Sequence, residues 1–213
     1  MHTRTLIAGR RSKMKKKAAA EMTKKQRIIK EVISWTATIL IAIVIALLLN
    51  LFIIQPHEVI GDSMLPNLHN GNVGIISKFH HTFNIMPNYK DIVVIDSRTD
   101  RKHNFGDDIS DSFRYNMIAT KLFGQANHIY WIKRVIGKPG DTIEIKSNKV
   151  YRNGQLLDEP YINEPMENNP DQTWNVPKDS IFVMGDNRNH SSDSRVIGCV
   201  PIRNVMGKLL IKF

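Results

Sequence analysis

From Val32 to Gln55 the chain carries no charged residue, and its centre, Ile39-Leu40-Ile41-Ala42-Ile43-Val44-Ile45-Ala46-Leu47-Leu48-Leu49, is continuous hydrocarbon. Such a stretch must be buried in protein, cut away, or placed in lipid. As an α-helix, Val32 to Ile54 would reach roughly 35 Å, enough to cross a hydrocarbon core of roughly 30 Å. Trp35 lies near one end, where an amphipathic ring suits a membrane–water interface. A core helix of this length would carry a polar stripe. A removable leader would have a shorter apolar region with a small-x-small site after it, whereas this run ends in Phe52-Ile53-Ile54-Gln55-Pro56-His57. A retained single transmembrane helix over residues 32–55 is the expectation.

The charge pattern gives that span a direction. The net charge is +10, but residues 1–31 hold 11 Lys and Arg against 2 Glu, while residues 32–213 hold 19 against 18. The basicity therefore belongs to a solvated tail, 1–31, whose lysines place it on the cytoplasmic side and leave residues 56–213 outside, beside the membrane. No aromatic residue interleaves with those charges, so nucleic acid is not expected as a partner; the lipid bilayer is. The single cysteine, Cys199, makes no internal disulfide and no multi-cysteine metal site, and reads as a small core filler. No metal or other cofactor is expected.

Past the span, short runs rich in β-branched residues alternate with turn signals. Glu58-Val59-Ile60, Val73-Gly74-Ile75-Ile76, Asp91 to Ile95, His128 to Ile136, Thr142 to Ile145, Lys149 to Tyr151, Ile181 to Met184 and Leu209 to Phe213 read as strands. Pro139-Gly140-Asp141 and Asn153-Gly154 read as turns. Residues 98–127 are polar and irregular, a surface insertion with one short helix after Asp111 carrying Phe113, Met117 and Leu122. Glu159 to Pro177 reads as loop. The fold class expected is mainly β: an antiparallel β-sheet domain over 56–213 preceded by one transmembrane helix.

Three stretches carry candidate chemistry. Gly61-Asp62-Ser63-Met64-Leu65-Pro66 presents a serine just past the span; Lys133-Arg134-Val135-Ile136-Gly137 and Gly185-Asp186-Asn187-Arg188 follow. A serine hydroxyl needs a base to act as a nucleophile. Of the eight histidines, none of the five outside the loop-like stretches falls in a pattern resembling a triad histidine, and His190 has polar loop neighbours. A lysine can serve only when neutral, and burial lowers its pKa toward that state. Lys133 has Tyr130, Trp131 and Ile132 before it and Val135 and Ile136 after. On this segment alone a lysine facing solvent remains the better reading, with Arg134 then turned inward.

Residues 61–68, Gly61-Asp62-Ser63-Met64-Leu65-Pro66-Asn67-Leu68, resemble the nucleophile box of the type I signal peptidases. Lys133 to Asp141 resembles their lysine box, Gly185 to Arg195 their C-terminal box, and Asp91-Ile92-Val93-Val94 the strand between the first two. The order of the boxes and the preceding span agree, over residues from about 32 onward, with the single-span Gram-positive form. The resemblance implies a serine endopeptidase that removes signal peptides from exported preproteins after a small-x-small site. It implies Ser63 as nucleophile and Lys133 as its base. It further implies that Ser191 orients the lysine amine, that Asp193 and Arg195 form a supporting ion pair, and that Gly185 permits close backbone packing. The Ser63 backbone N–H would be one oxyanion donor; some members add a serine hydroxyl at the position of Gly61, which lacks one. Val59, Ile60, Met64, Trp131 and Ile132 would face the substrate. The alternatives at this stage are a non-enzymatic anchored β domain that binds peptides in a translocation complex, and a self-cleaving serine/lysine regulator.

Overall fold

A computed structural model describes residues 24–99, 106 and 129–212. Most of the basic tail, the insertion beyond Thr99 and the short helix expected after Asp111 lie outside the described residues. The chain divides into two compact units at Leu47–Leu48.

Helix α1 runs Lys24–Phe52 among the described residues, taking in the eight residues before the apolar run. Lys24, Lys25, Gln26, Arg27, Lys30 and Glu31 are strong helix formers, so the helix extends through the charged segment. Its large apolar side chains, from Ile28 through Leu49, are about half exposed or more. That rules out a core helix among the described residues and presents more contiguous apolar surface than water tolerates. The Thr36 hydroxyl donates to the Val32 carbonyl (2.8 Å) and the Thr38 hydroxyl to the Ser34 carbonyl (2.9 Å). Both threonine hydroxyls inside the span are thus satisfied by the helix itself, as an apolar surrounding requires. Length and composition make α1 the one helix among the described residues able to cross a bilayer.

The second unit is antiparallel throughout. Strands β1 (Ile54–Glu58), β2 (Val73–Ser77), β3 (Ile92–Asp96), β4 (Tyr130–Gly137), β5 (Thr142–Lys146), β6 (Lys149–Arg152), β7 (Gln155–Leu156), β8 (Gln172–Asn175), β9 (Ser180–Met184), β10 (Val200–Pro201) and β11 (Val205–Lys212) form two sheets. One sheet has the order β1-β2-β11-β3-β4-β9-β10, the other β7-β6-β5-β8. The β4–β5 connection joins them through the turn at Pro139-Gly140, where the Asp141 N–H donates to the Lys138 carbonyl. At Asn153-Gly154 both residues take positive φ (52° and 76°), the conformation that a two-residue hairpin turn needs.

Three expectations shift: the closing strand, expected at Leu209 to Phe213, begins four residues earlier at Val205. The first strand lies at Ile54–Glu58 rather than 58–60, because Ile54 to Glu58 pairs in register with Ser77 to Val73. Within Glu159 to Pro177, expected as loop throughout, β8 pairs with β5, Trp174 opposite Ile143.

Strand β4 is the axis of the domain. Along β3, Val93 and Ile95 enter one apolar cluster with Val135, Ile181 and Val183, while Val94 enters another with Val59, Met64, Leu68, Ile76, Ile132 and Met206. A third cluster joins Ile136 and Phe182 to Ile143, Ile145 and Val150 of the small sheet. With apolar clusters on both of its faces, β4 has no solvent side over Lys133 to Gly137.

Candidate active site

Both cations of β4 are therefore buried, Lys133 at 4% and Arg134 at 9% exposure. The solvent-facing alternative for Lys133 does not hold, and Arg134 is inward as well. Arg134 is accommodated by a full set of partners. Its Nε and Nη2 donate to the two Asp186 carboxylate oxygens (2.7 and 2.5 Å), its Nη1 donates to the Lys90 carbonyl (2.8 Å), and its plane lies 4.2 Å from the centre of the Tyr161 ring. Asp186 accepts a further bond from Asn67 Nδ2 (2.9 Å), which ties the 62–68 turn to the end of β9.

Lys133 has no such set. Its Nζ stands 2.7 Å from Ser63 Oγ, and among the described residues no carboxylate touches it. Burial pushes the amine down from 10.5 to about 8. The next influences oppose one another: the Asp193 carboxylate raises the value and the Arg195 guanidinium lowers it, with a smaller raising effect from Asp186. Asp193 and Arg195 neutralise each other, Arg195 Nε donating to Asp193 Oδ1 and Nη2 to Oδ2, both at 2.8 Å. Desolvation is thus left to decide the amine's state.

The ion pair expected of Asp193 and Arg195 is present, with Asp193 fully buried and also accepting from the Gly185 N–H (3.0 Å). Ser191, expected to hold the lysine amine, instead donates to Asp193 Oδ2 (2.9 Å); the carboxylate is the stronger acceptor and lies two residues away. Gly185 packs as closely as expected: a Cβ there would sit 2.2 Å from Ser191 Oγ and 2.5 Å from the Ser63 carbonyl oxygen. The Gly61 N–H is engaged away from the cleft's serine, donating to Asn70 Oδ1 (3.0 Å). Among the described residues the Ser63 N–H has no partner of its own.

The Ser63 and Lys133 side chains open onto a cleft of about 300 Å³. Val59, Ile60, Met64, Trp131 and Ile132 all line it, with Met64 and Val59 almost wholly buried beneath its floor and Ile60 about half exposed. His57, Tyr130, His190 and Ser192 line it too. Sequence reasoning passed over all four as site residues. Their only signal was proximity in the chain to Ser63, Lys133 and the 185–195 stretch. Burial pushes the His57 imidazole down to about 4, so it stays uncharged at neutral pH. Arg188 is a structural group, paired with both Glu159 oxygens at 2.6 and 2.7 Å.

A serine hydroxyl, a buried amine beside it, an unoccupied backbone donor and a cleft of mixed polar and apolar lining are the parts that acyl transfer requires. Comparison with known proteins gives the same direction. Residues 32–213 match the family described as signal peptidase, peptidase S26. The chain is 38% identical over 175 residues to a probable signal peptidase I-1 from Synechocystis, covering 82% of this chain and 79% of that protein. It is 34% identical over 179 residues to signal peptidase I S from Bacillus subtilis, covering 78% and 79%. A crystal structure of a signal peptidase I from Enterococcus faecalis overlaps it at TM-score 0.40 with 28% identity, covering 59% of this chain and 97% of that one.

Proposed function

Since the chain belongs to the signal peptidase family, peptidase S26, and is a serine peptidase of the signal peptidase I kind, we propose that Ser63 and Lys133 form its catalytic dyad and that it cuts exported preproteins after a small-x-small site. The observation that carries the dyad is the 2.7 Å contact between Lys133 Nζ and Ser63 Oγ, with the amine buried and lacking a counter-charge.

The chemistry follows from the amine's state. At a pKa of about 8, roughly one molecule in ten has a neutral Lys133 at pH 7, against roughly one in a few thousand at the ordinary lysine value. The neutral Nζ lone pair accepts the Ser63 proton as Oγ bonds to the scissile carbonyl carbon. The oxygen of the tetrahedral intermediate then carries the charge and faces the Ser63 N–H. Collapse breaks the C–N bond, and the leaving amine takes the proton back from Lys133. A water, deprotonated by the same amine, hydrolyses the acyl-enzyme and frees the Ser63 hydroxyl.

The cleft fits an extended substrate laid between Val59–Ser63 and Trp131–Lys133, held by main-chain hydrogen bonds in the manner of an added strand. Ile60 and Ile132 then bound shallow apolar pockets suited to alanine-sized side chains. Helix α1 fits a membrane anchor. The lysine-rich segment before it puts the N-terminus in the cytoplasm and the β domain outside, in the plasma membrane with a single pass.

The test is cleavage of an exported preprotein by the full chain in detergent, with the new N-terminus sequenced. Wild type is expected to cut after the small-x-small site, and Ser63→Ala and Lys133→Ala to leave the preprotein intact while remaining folded. Cleavage by either variant at the wild-type rate would remove the dyad.

A further inference from the structure

Asn187 reaches the nucleophile turn twice. Its backbone N–H donates to the Ser63 carbonyl (3.0 Å), and its side-chain Nδ2 donates to the Asp62 carbonyl (3.1 Å). The Asp62 carbonyl and the Ser63 N–H belong to one planar trans peptide unit, so they point in opposite directions and turn together. A hydrogen bond that fixes the carbonyl therefore fixes the aim of the N–H. We propose that Asn187 is a positioning residue that aims the Ser63 N–H at the oxyanion by holding the far side of the Asp62–Ser63 peptide plane. This rests on Ser63 being the nucleophile and its N–H the oxyanion donor.

Several features support that role over simple packing. The Asp62 carbonyl also accepts from the Leu65 N–H (3.2 Å), so the local turn and Asn187 pin it from two directions. Asn187 is 4% exposed, and its Oδ1 is buried with no hydrogen-bond partner. A side chain kept for packing would avoid stranding an acceptor in a dry site. It is the NH₂ half that the site uses, and the amide cannot be reversed, because the Asp62 carbonyl can only accept. The next peptide plane is held too: Asn187 N–H bonds the Ser63 carbonyl, whose oxygen fills the space that a side chain at Gly185 would need. A donor bonded to the Asp62 carbonyl also polarises the peptide, which strengthens the Ser63 N–H as a donor. The effect grows as negative charge forms on the substrate oxygen, so it belongs to the transition state.

The experiment measures kcat and KM for preprotein cleavage by the full chain in detergent micelles for wild type, Asn187→Ala, Asn187→Asp and Ser63→Ala. Binding of a peptide aldehyde, which forms a tetrahedral adduct on an active serine, is measured alongside. Asn187→Asp keeps the size and the backbone N–H but turns an acceptor toward the Asp62 carbonyl, and it decides the matter if Asn187→Ala fails to fold. We expect kcat to fall about 10- to 100-fold, KM to stay within about two-fold, and aldehyde affinity to fall by the same factor as kcat/KM. In Asn187→Ala, which adds no charge beside Lys133, the pH at which kcat/KM is half-maximal should not move. A kcat within two-fold of wild type in Asn187→Asp, or a loss appearing in KM alone, or unchanged aldehyde affinity with reduced kcat, overturns the proposal. An active Ser63→Ala overturns the dyad beneath it instead.

Discussion

On one face of β4 the Arg134 guanidinium is closed in by a bidentate carboxylate, a backbone carbonyl and an aromatic ring. One residue earlier, on the other face, the Lys133 amine meets a serine hydroxyl and no carboxylate. Both side chains are buried to nearly the same depth. The contrast shows what decides whether a buried cation holds a fold together or does chemistry. A saturated charge stays charged and is structural. A charge without a counter-charge gives up its proton more readily, and an amine can do so where a guanidinium cannot.

The contrast breaks most visibly at Asp186. Asp186→Ala leaves Arg134 charged and buried and removes one of the two bonds of Asn67 Nδ2, and we expect a loss of about 3–5 kcal/mol, read as a lower denaturant midpoint of the full chain in detergent. Lys133→Met should do the opposite. Burying the ammonium opposes folding, so the variant is expected to gain about 2–3 kcal/mol at pH 7 while losing all activity. Because the folded protein holds this proton less tightly than the unfolded chain, unfolding takes up a proton between about pH 8 and 10.5, and wild-type stability rises with pH across that window. The advantage of Lys133→Met should shrink over the same window; an advantage constant with pH would mean the amine is not desolvated.

Gly185→Ala ranks next. Its Cβ would meet the Ser63 carbonyl oxygen, a backbone atom that cannot step aside, so kcat should fall at least tenfold for a stability loss of about 1–3 kcal/mol. Arg195→Met comes last for its effect on the amine, not for its effect on the fold, since it too strands a buried charge. It leaves the Asp193 carboxylate unbalanced near the amine, which shifts the Lys133 pKa upward and moves the rising limb of the pH–activity profile to higher pH. A shift in the other direction would contradict the cancellation of Asp193 by Arg195.

Much of this arrangement is legible in the sequence, and the failures have physical causes. The apolar run at 32–55 and the β-branched runs of β2, β3, β4, β5 and β9 announce their elements by hydrophobicity alone. The helical state of Lys24 to Glu31 does not, because a charged segment that favours helix looks the same as a solvated tail. Strand β8, Gln172 to Asn175, lies between Pro170 and Pro177 and is made a strand by β5, a partner some thirty residues earlier. At the site, the Ser63 and Lys133 boxes could be found only by resemblance. Residue alternation along β4 offers a choice between Lys133 and Arg134, whereas the fold buries both by packing apolar clusters on the two faces. The Ser191–Asp193 bond and the Asn187 contacts depend on how the 185–195 stretch wraps the 62–68 turn, which no local pattern encodes.

Cleavage by this dyad requires Lys133 to work as an uncharged base, and the pH dependence of kcat/KM for preprotein cleavage by the full chain in detergent tests that most directly, because it reports ionisations of the free enzyme. The expected profile rises about tenfold per pH unit through neutrality and levels off near pH 8, where the buried amine titrates. A rising limb centred in the ordinary histidine range near 6.5, or one that does not appear until the ordinary lysine range above 10, would contradict it.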